Sequence, residues 1–118
     1  LRTLRAKGVT LSRNRHFDFF EKPENRAALQ LERELKMWRE LILTASTSAV
    51  SSIALVQDGS SHLMLTVCSE VFSAKHQRRF SEQEFRLLCE CHDVVQVLLG
   101  VQLDGYLRAL VIRYRDHE

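Results

Sequence analysis

Cys89, Cys91 and His92 bring two thiols and an imidazole within four residues of one another, the one place where soft metal-ligand atoms crowd together. A zinc site needs four convergent ligands, usually on loop geometry around C-x₂₋₄-C pairs. On a helix Cys89 and Cys91 would point about 200° apart, at ~100° per residue. Cys89 and His92 share a face that Cys91 cannot join. The spacing therefore reads as part of a packed helix, where a free cysteine behaves as a small hydrophobe. Cys68 or Cys91 with His62, His76 or His92 would make a thiol nucleophile and its base, but such chemistry also wants an orienting third group and an oxyanion site. No pattern in the chain supplies them. Four scattered glycines make no phosphate-cradling loop. No enzyme activity, cofactor or metal is expected.

The charged residues point to binding. Lys75, Arg78 and Arg79 stand just before Ser81, which reads as the start of a helix, where free amides and the helix dipole already favour anions. These four residues are the candidate anion-binding set. Residues 1–16 add Arg2, Arg5, Lys7, Arg13 and Arg15 without an acid. Residues 82–104 run the other way, with Glu82, Glu84, Glu90, Asp93 and Asp104 against Arg86 alone. The net charge is only +2, so the field is dipolar rather than basic. Such a field suits a protein partner or self-association as well as it suits phosphate.

Positioning these residues falls to a small set of elements. The chain has the length of one domain, and its composition, 45% apolar and 27% charged, is globular. Residues 1–16 read as a basic arm, or as a short strand around Val9–Leu11, and 17–118 as a single domain. His16–Phe20 holds three of the six phenylalanines and is expected to anchor the arm. Pro23 suits a first helical position. From Glu24 to about Ala45, Ala28, Leu31, Leu35, Trp38, Ile42 and Ala45 repeat at three/four spacing, the seam used by paired helices. Leu31, Leu35, Trp38 and Ile42 are the candidate partner-binding residues, with Trp38 a favoured anchor type. The competing reading is a core helix on its own sheet.

The hydroxyl-rich run Thr44–Ser52 ends that helix. Val50–Gln57 and His62–Phe72 read as two strands around Asp58-Gly59, a strong hairpin signal. Leu63, Leu65, Val67 and Val71 alternate onto one face, so helices should cover one side of the sheet. Lys75–Arg79 reads as a loop. Ser81-Glu82-Gln83-Glu84 is a capping box with Phe80 and Phe85 as its hydrophobic staple, opening a helix expected to run to about Leu99 and stop at Gly100. Asp104-Gly105 reads as a turn into a final strand at about Leu107–Tyr114, favoured by Val111, Ile112 and Tyr114; alternatively Tyr106, Leu107, Leu110 and Tyr114 lie at helical spacing and would continue the helix with a kink.

The run from Arg79 to Leu88 resembles the close of GAF-type sensory domains, which also end on a strand, a Phe-Ser/Thr-acidic stretch and an amphipathic helix. The resemblance covers under a third of the chain and carries over no ligand-pocket residue, and the helix–hairpin–helix order equally suits small α/β dimerisation domains, so no family is assigned.

The expected fold is α+β: a small antiparallel sheet built on one hairpin, covered on one face by two amphipathic helices. The expected function is a protein-interaction or dimerisation module of a larger assembly, with a protein partner or a second copy. The alternative is a nucleic-acid or phosphate-binding domain using the basic arm and the Arg78–Arg79 corner. No apolar run approaches the roughly 20 residues of a membrane-spanning helix. Three cysteines, an odd and sparse set, fit reduced thiols in the cytoplasm or nucleus.

Overall fold

A computed structural model describes residues 22–69 and 73–116. The basic arm 1–16, the His16–Phe20 cluster and the expected strand end at Glu70–Phe72 lie outside the described residues. By internal packing the chain divides into two units, Leu1–Glu34 and Leu35–Glu118. The described part of the first is the opening of helix α1, Pro23–Ser46. Its first turn closes on Lys22, whose carbonyl accepts the amides of Asn25 and Arg26 at 3.0 Å each. Leu31 there is half-buried.

The second unit begins with the rest of α1. Leu35, Trp38, Ile42 and Ala45 form its inward stripe and are 1%, 3%, 0% and 8% exposed. The helix stops because its hydroxyls turn back on it. Ser46 Oγ donates to the Leu43 carbonyl at 2.7 Å and Thr47 Oγ1 to the Thr44 carbonyl at 2.8 Å, competing with continued helix.

Three antiparallel strands follow in the order β1 (Ser51–Asp58), β2 (His62–Ser69) and β3 (Ala74–Ser81). The first hairpin turns at Asp58-Gly59, where Gly59 takes φ +77°, a left-handed conformation open to glycine. β3 is a correction to the expected loop. Its alternation is masked because polar residues occupy both faces. Only Phe80, opposite Leu63 in register, announces an inner side.

The capping box opens helix α2, Glu82–Leu88, as expected. Ser81 Oγ accepts the Glu84 amide at 3.1 Å, and Glu84 Oε1 accepts the Ser81 amide at 3.0 Å. The staple is present too, with the Phe80 and Phe85 rings edge-on at 6.5 Å. The single long helix expected here is two. α2 caps at Cys89, and α3, His92–Leu99, restarts from an extended Cys91. Cys, His and Asp are all indifferent helix formers, and no glycine or proline marks the break. Gly100 ends α3 as anticipated.

The last element is helix α4, Gly105–Asp116, not the favoured strand. Asp104 is its cap rather than a hairpin residue: Oδ1 accepts the Leu107 amide at 2.8 Å. Leu107, Leu110 and Val111 then fall on one buried stripe. Arg108 ties α4 to the end of α3, donating to the Leu99 and Val101 carbonyls at 3.0 and 3.2 Å. The fold is α+β, a three-stranded antiparallel sheet packed against helices.

Candidate functional site

Register decides what each strand residue faces. On the inner face Leu55, Leu65 and Arg78 form one row across the sheet, and Gln57, Leu63 and Phe80 the next. On the outer face the rows are Ser52–Cys68–Lys75, Ala54–Thr66–Gln77, Val56–Met64–Arg79 and Asp58–His62–Ser81.

The inner face is closed by aromatic packing. Trp38 of α1 stands edge-on to Phe80 at 5.8 Å and to His76 at 6.5 Å. Phe85 continues the line from Phe80 to Tyr114, at 6.2 Å. The Tyr114 hydroxyl donates to the Glu82 carbonyl at 3.4 Å, and burial, foremost, holds that phenol above its usual range. Arg39 Nη2 donates to the Leu87 carbonyl at 2.9 Å, joining α1 to the end of α2.

These contacts involve three of the partner-binding residues expected on α1. Leu35, Trp38 and Ile42 are spent on the chain's own core, and a partner could reach them only by unpacking it. The core-helix reading of the seam describes these three. Apolar surface of α1 stays open beside this stripe, where Met37 is 45% exposed. Met37 and Leu41 line a cleft of about 370 Å³ with Val67, Ala74 and His76 of the sheet.

The basic corner is also redistributed. In β3, Lys75 and Arg79 lie on the outer face and Arg78 on the inner one. Arg78 sits over the Phe80 ring at 4.5 Å and reaches Glu84 Oε1 at 3.4 Å. Arg79 Nε holds Asp58 Oδ2 at 2.9 Å. Ser81 is engaged in its cap. The four residues therefore do not converge on one anion, because the two-residue period of a strand sends consecutive arginines to opposite faces. The Ser81 amide bond, foremost, with Arg78 assisting, keeps the Glu84 carboxyl below its ordinary range.

Cys89, Cys91 and His92 separate in the same way. Cys89 is 1% exposed, and burial pushes its thiol up to about 12, far from the thiolate that ligation or attack requires. Cys91 is half-buried at the head of α3 and His92 is exposed. Among the described residues no three His, Cys, Asp or Glu side chains gather as a metal site would need. Cys68, on the outer face, is half-buried and unpaired like the other two cysteines.

Among the described residues nothing covers the sheet's other side or pairs with either of its edges. Val56, at 55%, is the most exposed large apolar side chain among the described residues. Thr66 accepts a hydrogen bond from Gln77 Nε2 at 3.1 Å beside it. His62 is the one ring on the four outer rows, which hold no Phe, Tyr or Trp. No helix among the described residues is long and apolar enough to cross a membrane. Comparison with protein-family models, with curated proteins and with solved structures finds no match to this chain.

Proposed function

We propose that this chain is a protein-interaction or dimerisation module of a larger intracellular assembly, and that its contact surface is the open side of the sheet. The observation that supports this reading is the unmatched sheet. One face is closed by α1 and α2, while the other, centred on Ala54, Val56 and Met64, has no covering element among the described residues. Two strand edges likewise have no described neighbour. A sheet edge offers a row of unmet amides and carbonyls, the template used when an added strand docks. The three unpaired cysteines support a reducing compartment.

The alternative, a nucleic-acid or anion-binding domain, has less support. Arg78 and Arg79 are each engaged by a carboxylate of the same chain. The outer face offers unpaired bases one ring to stack on, His62, and no Phe, Tyr or Trp.

A photo-crosslinking side chain in place of Val56, in cells expressing the whole protein, tests the reading. The expected result is a discrete protein adduct at this position, with none from the same group in place of Tyr106 on α4. No adduct at position 56 would count against the sheet as a contact surface.

A further inference from the structure

The edges of the sheet differ in what they can accept. β3 presents Lys75, Arg78 and Arg79. Two copies of it laid antiparallel about Gln77 would set Lys75 against Arg79 and repel, and charged edges of this kind are how sheets avoid pairing with themselves. β1 carries none of these safeguards. It is eight residues long, SSIALVQD, without proline, lysine or arginine. Its only charge, Asp58, is already neutralised by Arg79 at 2.9 Å. An edge without charge gives a basic or acidic peptide nothing to recognise, but it suits a strand as neutral as itself.

Resting on the interaction reading above, we propose that the occupant of the β1 edge is β1 of a second copy, antiparallel about a two-fold axis. The two three-stranded sheets would then join into one of six strands. Opposed residues in an antiparallel pair share a face, so the two-fold must pass between the two copies of one residue. Centring on Leu55 sets Ala54 against Val56 of the second copy, and the reverse. That register closes both copies of Val56, 55% exposed in the single chain, into a small apolar patch. It sets Asp58 against the neutral Ser52. Centring on Ala54 instead would leave Val56 beside Ser52, with its apolar surface unmatched. The contact is isologous and closes on itself, so it stops at two chains.

The register is tested by charge. Ala54 and Val56 are both exposed on the outer face, so A54K/V56K and A54E/V56E alter surface positions, and circular dichroism checks that each folds. Light scattering of the wild-type chain should show mass rising from monomer to dimer below about 1 mM, the range of weak association. In each charged variant like charges oppose across the axis, raising the dissociation constant about tenfold or more. Mixing the two variants should restore the dimer as a heterodimer. Three results would overturn the proposal: a wild-type chain monomeric throughout, variants that dimerise as the wild type does, or a mixture that stays monomeric. A monomeric wild type that still gives an adduct from position 56 would remove self-pairing and leave the interaction reading standing. A monomer without an adduct would remove both.

Discussion

The inner and outer faces of the sheet are made from the same three strands and end in opposite states. Inside, Leu63, Leu65, Val67 and Phe80 are at most 2% exposed. Outside, Met64, Thr66 and Cys68 are half-buried, while Val56, Lys75, Gln77 and Arg79 are exposed. The difference is not one of apolar content alone. In β1 both faces are apolar, with Ile53 and Leu55 on one and Ala54 and Val56 on the other. β2 breaks the tie, because only its Leu63–Leu65–Val67 side is strongly apolar, and pairing in register brings Leu55 in beside Leu65. β3 has the reverse problem, with Arg78 and His76 on the inner side. Phe80, with Trp38 and Phe85 packed against it, holds that strand in place. One face is thus decided by a few large side chains, and the other keeps what is left for solvent or a partner.

Removing one of those side chains is the strongest way to break the contrast. Phe80→Ala should cost about 3–5 kcal/mol, the usual loss for a large buried aromatic, a large share of the ~5–15 kcal/mol that holds a typical domain together. Urea titration at neutral pH measures it. A loss under 1 kcal/mol would mean that the inner face is not packed as described.

The cap between β3 and α2 ranks next. Ser81→Ala should cost about 1 kcal/mol, the ordinary value of an N-cap. Its partner Glu84 adds a pH dependence of defined sign. The folded state holds this carboxyl below its ordinary range, so its contribution is full above the unfolded pKa. It is lost as pH falls through the lower folded pKa. Glu84→Gln keeps an acceptor for the Ser81 amide but no charge, and should flatten that acid-side loss in melting temperature measured against pH. An unchanged profile would separate the cap from the titration.

The smallest effect belongs to the outer face. Val56→Thr, on the open side of the sheet and 55% exposed, should change stability by about 0.5 kcal/mol or less, as surface substitutions do. A loss comparable to that of Phe80→Ala would show that something covers the outer face in the single chain and would sharpen the search for it.

Much of this architecture was legible in the order of residues. The capping box at Ser81–Glu84, the Phe80–Phe85 staple, the Asp58-Gly59 turn and the stop at Gly100 each depend on interactions within a few residues. So does the period of α1, since a stripe at three/four spacing is a property of the helix itself. The faces of β2 were legible for the same reason at period two. These determinants are local, and local chemistry is complete in the sequence.

The rest depended on neighbours distant in the chain. Asp104 can begin a hairpin or cap a helix, and the buried stripe Leu107–Leu110–Val111, with Arg108 closing the carbonyls of α3, makes it a cap. A run of basic and polar residues at 75–79 becomes a strand because β2 offers its edge and Phe80 finds Trp38. The seam of α1 has the same spacing whether it meets another chain or its own sheet. Periodicity states that a face must be buried, and only the three-dimensional packing decides against what.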